Sequence, residues 1–183
     1  MSTVKEVAEV GVNADTLWHE VGDFGSLAQW HPHLSSLTVS EEPSGKLRMW
    51  LLKTGGEQRE RLHATDTSRH LYRYGVERTD LPVHDCTAEF RIDTIDAHTS
   101  RLVWEAHFSL DNEDDKRSAE AIRYFLHEGA TSIQARYPPY SEHEPDGVET
   151  GIADADKQAR AGTVNEPVRN TPPAGAWNET TFD

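Results

Sequence analysis

The chain has 183 residues, 36% of them hydrophobic, and a formal net charge of −14, which fits one globular domain with a remainder. No run approaches the roughly 18 apolar residues of a membrane-spanning helix, and the start MSTVKEVAEV lacks the basic and apolar regions of a secretory signal, so the expected location is the cytoplasm. The lone Cys86 excludes an internal disulfide and a multi-cysteine zinc site, and the absence of clustered Lys and Arg excludes a nucleic-acid backbone as partner.

Thr3 to Val12 alternates Val4, Glu6, Ala8, Val10 and Val12, the pattern of a first strand with one buried face. Asn13 then reads as a helix N-cap with Asp15 in the first turn, and Leu17 and Val21 face inward together. Gly22-Asp23 ends that helix. Phe24, Leu27 and Trp30 repeat every third residue in a second short helix, which stops at His31 because Pro32 disfavours helical geometry in the residue before it. From Leu34 to Leu110 six strands follow one another, punctuated at Glu42 to Gly45, Gly55-Gly56, Thr67-Ser68, Asp80 to Pro82 and Asp96 to Ser100. Ala119, Ile122, Leu126, Ala130 and Ile133 recur at helical spacing and predict a long amphipathic helix over Glu113 to Arg136. Composition changes after Tyr137. Residues 138–183 carry −6 of the charge and are Pro- and Gly-rich, which predicts a disordered acidic tail; its end, AWNETTFD, is a candidate docking motif for a protein partner.

The order β-α-α-β-β-β-β-β-β-α is the helix-grip arrangement, an α+β fold in which a curved antiparallel sheet of about seven strands wraps a long C-terminal helix. The residues that fill it carry a resemblance. Within residues 3–137, ADTLWHEVGDFGSLAQWHPHL, GEQRERLHATD, LYRYGVERTDLPVHDCTAEFRI and RLVWEAHFSL resemble the polyketide cyclase/dehydrase-like proteins of the SRPBCC superfamily, also called START-like or Bet v 1-like. The pattern V-x-D-F-x-x-L-x-x-W-H-P at Val21 to Pro32 is the most specific part. The resemblance implies a cavity for a small hydrophobic ligand, in proteins that include cyclases, lipid carriers and other binders.

Strand parity sorts the side chains that would line such a cavity. Glu60 falls with Leu62 on the inner face of its strand, and Tyr72, Tyr74 and Val76 share the inner face of the next. His84, Cys86, Ala88, Phe90 and Ile92 form the inner set of the following strand, and Leu102, Trp104, Ala106 and Phe108 that of the last; Met49 and Leu51 complete the set. The expected ligand-binding residues are therefore Trp30 at the mouth, His31 at its rim, Met49, Leu51, Glu60, Tyr72, Tyr74, Trp104, Phe108 and Leu126. Arg59, Arg61, His63, Arg73, Glu89, Arg91, Glu105 and His107 take the outer face, where mixed signs suit cross-strand ion pairs. Trp50 has the outer parity, either stacked under an arginine or serving as a patch for a homodimer.

No metal site is expected: His31 and His33 lie two apart, but His63 and His107 have outer parity and no His-Glu-x-x-His spacing occurs. No cofactor motif is present either, and Cys86, mid-strand among apolar neighbours, should be an inert thiol. Acid/base chemistry needs a group such as Glu60, desolvated by Leu62, Trp104 and Phe108, with Tyr72 or Tyr74 holding an enolate oxygen and His84 in reserve. Glu60, Tyr74 and His84 are the catalytic candidates if the chain is an enzyme of the cyclisation and dehydration kind the family name implies. The same groups also satisfy one another as a structural network, and binding of a small hydrophobic molecule without chemistry is the better-supported expectation.

Overall fold

The computed structural model describes residues 1–112 and 116–140. Strand β1 (Ser2–Val10) leads into α1 (Ala14–Val21) and the single turn α2 (Leu27–Trp30). The strands β2 (Leu34–Glu42), β3 (Gly45–Leu52), β4 (Glu57–Asp66), β5 (Leu71–Thr79), β6 (Val83–Thr94) and β7 (Ser100–Leu110) follow, with a 3₁₀ turn at Thr67–Arg69 between β4 and β5. The last element is α3 (Lys116–Arg136). The start expected for this helix at Glu113, and the tail from residue 141 onward, lie outside the described residues. Among the described residues no helix is long and apolar enough to cross a membrane.

All neighbouring strands are antiparallel in one seven-stranded sheet, order β1-β7-β6-β5-β4-β3-β2. The meander of β2 to β7 follows from short hairpin turns, and β1 closes on β7 because the two helices after it carry the chain across to the far edge. The curved sheet wraps α3, which buries Leu126, Gly129, Ala130 and Ile133 against it.

Local chemistry fixes the helix ends. The Asn13 side chain accepts from the Thr16 amide at 2.9 Å, so α1 begins where the capping residue stands. His31 is extended, φ −82° and ψ 122°, as the residue before Pro32 must be when a helix ends. Gly129 has a different role. A Cβ built there would lie 2.8 Å from both His31 Cδ2 and Trp104 Cζ3 and 3.1 Å from Trp30 Cζ3, so the missing side chain lets α3 settle onto three rings.

On the outer face the expected ion pairs form, among them Arg73 to Glu89 at 2.7 Å and Arg61 to Glu42 at 2.9 Å. Trp50 does not join them. It is 5% exposed and faces inward, so the expected outer-face patch for self-association loses its anchor.

Candidate functional site

Two layers of side chains run across the concave face in register. Tyr72, Phe90 and Trp104 stand opposite one another on β5, β6 and β7, and the next layer is Tyr74, Ala88 and Ala106. The first layer is closed: Tyr72 stacks on Phe90 at 5.1 Å, and Trp104 meets Phe90 and Trp30 edge-on, each at 5.6 Å. Beyond the second layer the interior opens into a cavity of about 260 Å³. Its walls are the ends of β3 to β7 and one face of α3, with Trp50, Leu52, Val76, Val83, Ile122, Phe125 and Leu126 among the apolar members and Gln58, Asp80 and Thr87 among the polar ones. Trp50 and Phe125 stack nearly parallel, 4.9 Å apart at 8°.

The β3–β4 turn closes the outer end, where Gly55 and Gly56 have φ of +85° and +112°, a conformation that side chains resist. At the end of the β4–β5 ladder, Glu57 N–H donates to Asp80 Oδ2 at 2.8 Å and ties that turn to the one between β5 and β6.

Behind the cavity lies a buried ion pair. Arg48 and Glu60 are opposite each other in the β3–β4 register, both within 1% of full burial, with Arg48 Nε donating to Glu60 Oε2. Gln58 Nε2 donates to the other carboxylate oxygen at 2.6 Å, and Arg48 Nη1 donates to the Phe24 carbonyl at 2.8 Å. The guanidinium also sits 4.0 Å over the Phe24 ring and 4.8 Å from the Tyr74 ring centre. Burial works against the charge of Arg48, but Glu60 and the two phenols outweigh it and raise the guanidinium above its ordinary value. Burial drives Tyr72 upward and Tyr74 well above the usual phenol range, so both remain protonated donors. Tyr74 accepts from Trp104 Nε1 at 3.0 Å.

His31 is buried against α3. Its ring stacks on Phe125 at 4.0 Å and its Nε2 donates to the Phe125 carbonyl at 2.9 Å, while Nδ1 accepts from the His33 amide at 3.3 Å. Those two partners demand the neutral ring, and burial lowers its pKa to about 4.

The expected site residues separate into three groups. Tyr74, Phe108 and Leu126 stand in the cavity wall. Trp30, His31, Glu60, Tyr72 and Trp104 are buried but lie outside that wall, and Trp30, expected at the mouth, is instead wedged between Phe90 and Trp104 with its Nε1 donating to Ser26 Oγ at 3.3 Å. Met49, Leu51 and His84 do not face the interior at all. Met49 is 38% and Leu51 41% exposed, because β3 has the opposite parity from that expected: Arg48 and Trp50 point inward. His84 is turned to solvent, where it pairs with Asp111 at 2.8 Å, because a bulge between His84 and Thr87, with Asp85 at φ +52°, reverses the parity of β6. Val83 takes the inner place. Cys86 keeps a wall position, its thiol pushed up to about 11 by burial and so unreactive.

The sequence reading gave no inward place to Arg48 or Phe125, and it assigned Trp50 to the outer face. The run LRMWLL is apolar on both parities and does not announce its inner face, but Glu60, correctly oriented, fixes it once the register is known, since directly opposite residues share a face. Phe125 lies beside Leu126 on α3, at the edge of the apolar stripe.

The family model described as "Polyketide cyclase / dehydrase and lipid transport" matches residues 1–137. No curated protein matches the chain. Among solved structures, the XoxI protein of Bacillus cereus is 20% identical with a TM-score of 0.70, over 75% of this chain and 96% of that one. A protein of Thermobifida fusca is 24% identical with a TM-score of 0.64, over 78% and 99%. The Zhui aromatase/cyclase of a Streptomyces species is 19% identical with a TM-score of 0.59, over 74% and 90%.

Proposed function

Since the chain belongs to the polyketide cyclase/dehydrase and lipid transport family, we propose that it binds one small, largely apolar molecule in the hollow between β3 to β7 and α3, as a carrier or sensor. The observation that carries this reading is the division of the interior. The wall is mostly aliphatic and aromatic, while the Arg48–Glu60 pair is withdrawn behind it and neutralised within itself. An apolar cavity of about 150 Å³ takes up benzene, so one of about 260 Å³ suits one or two rings or a short branched chain.

The cyclase reading has less behind it. Both oxygens of Glu60 are taken, by Arg48 and Gln58, and Glu60 is not in the wall, so this carboxylate does not stand ready to exchange a proton with the ligand. His84, the reserve base, faces water.

Native mass spectrometry of the protein purified from its own host, followed by denaturing extraction, tests the proposal. A co-purified small molecule, or saturable uptake of an apolar fluorescent probe that small aromatic compounds displace, is the expected result. A ligand-free protein that takes up no probe overturns it.

A further inference from the structure

The wall of the hollow contains one polar group whose partner is missing. Trp50 is 5% exposed and stands in the wall, and its indole Nε1 is buried with no acceptor among the described residues. An indole nitrogen is a donor only, and a buried donor left without an acceptor is costly. The ring has no freedom to turn away, since it lies flat against Phe125 at 4.9 Å on α3. Its cross-strand neighbour Gln58, directly opposite in the β3–β4 register, holds its amide nitrogen on Glu60 at 2.6 Å, and its oxygen does not accept from Trp50. The carbonyls of β3 are engaged in ladders with β2 and β4 on either side. Trp50 lines the hollow, so what the hollow holds can supply the acceptor that its N–H lacks.

A second donor stands on the same wall. Tyr74 uses its oxygen to accept from Trp104, and its own proton has no acceptor among the described residues. Two donors without acceptors in a mostly apolar wall select a ligand that brings an acceptor. Resting on the ligand-binding reading above, we propose that the molecule held here is an apolar ring compound of one or two rings bearing a carbonyl oxygen, a ketone, lactone or quinone, and that the Trp50 N–H receives that oxygen. A carbonyl supplies acceptor lone pairs and brings no donor of its own to be left unpaired. A plain hydrocarbon fills the same space and leaves both N–H and O–H orphaned, so the choice between the two is made by hydrogen bonding and not by volume.

Matched probes separate shape from polarity. Calorimetric titration of the full chain with 1-tetralone and with tetralin, which share a two-ring skeleton, should show the ketone binding about fivefold or more tightly, the worth of one net hydrogen bond. In Trp50→Phe, which keeps an aromatic face for Phe125, both probes lose the contacts of the larger ring, but the preference for the ketone over tetralin should fall to less than about twofold. A second measurement needs no variant: the carbonyl stretch of bound 1-tetralone should move to lower frequency than in an apolar solvent. Equal affinity of the two probes for the natural protein, an unshifted carbonyl stretch, or a preference that survives in Trp50→Phe would overturn the assignment of Trp50 while leaving the hydrophobic site standing. Failure of both probes to bind would instead overturn the ligand-binding reading, and this inference with it.

Discussion

At the end of the interior closed by α1 and α2, β5, β6 and β7 contribute Tyr72, Phe90 and Trp104, none more than 1% exposed. One layer further along the same three strands contribute Tyr74, Ala88 and Ala106, and the interior is hollow. Backbone, register and covering helix are continuous across the two layers, so the curvature of the sheet does not decide where space is left. Two alanines in place of two large rings decide it. The contrast extends to α3, where Gly129 lets Trp30, Trp104 and His31 close together at the packed end and Phe125 leans on Trp50 at the hollow one.

The largest way to break the contrast is at the boundary between the ends. Glu60→Gln leaves Arg48 buried opposite a neutral amide, and urea denaturation should show a loss of about 3–5 kcal/mol. The double replacement Arg48→Met with Glu60→Leu should recover most of it, since an apolar pair of similar volume replaces an ion pair at little net cost.

Next comes His31 at the packed end. Its folded pKa of about 4 lies below the ordinary 6.5, so between those values the unfolded chain binds a proton that the native ring refuses. Its contribution is complete above pH 6.5 and is lost as pH falls toward 4, by on the order of 3 kcal/mol. Chemical denaturation from pH 7.5 to 4 should show that slope, and it should flatten in His31→Gln.

A smaller effect follows from adding one methyl group to the same end. Gly129→Ala brings a Cβ within 2.8 Å of two rings, and the strain of about 1–3 kcal/mol exceeds the gain of up to about 1 kcal/mol in helix propensity. The midpoint of thermal unfolding should fall. At the hollow end the same kind of change should cost least: Ala106→Leu fills space and should alter stability by less than about 1 kcal/mol, yet abolish uptake of apolar probes. Equal destabilisation by Gly129→Ala and Ala106→Leu would dissolve the distinction between the ends.

Much of this was legible in the sequence. The alternation in β5 and β7 places Tyr72, Tyr74, Trp104 and Phe108 on the concave face, and the spacing of Leu126, Ala130 and Ile133 turns the right side of α3 toward it. Parity failed where its assumptions failed. In β3, four consecutive apolar residues, Met49 to Leu52, leave the inner face undetermined, and the deciding partner, Arg48 against Glu60, is a contact between strands. In β6 the bulge after His84 is a backbone event at Asp85, an Asp that tolerates positive φ, and one extra residue reverses all that precedes it. Which of the inward residues meet the hollow depends on the layer each occupies, and layers are set by register, which a strand does not state by itself.

The tie between Glu57 N–H and Asp80 Oδ2 gives the molecule two separate clocks. The hollow is bordered by two hairpin tips joined at that point and at the end of the β4–β5 ladder, where Gln58 pairs with Thr79, while the sheet is held by its ladders and by the rings at the opposite end. Parting the tips breaks that exposed hydrogen bond and frays the last β4–β5 pairs, a sub-global opening with a free energy below that of unfolding. Exchange of whatever the hollow holds can therefore run on the microsecond-to-millisecond scale of loops, and the amide of Glu57 should trade its proton for deuterium long before those of Phe90 or Trp104.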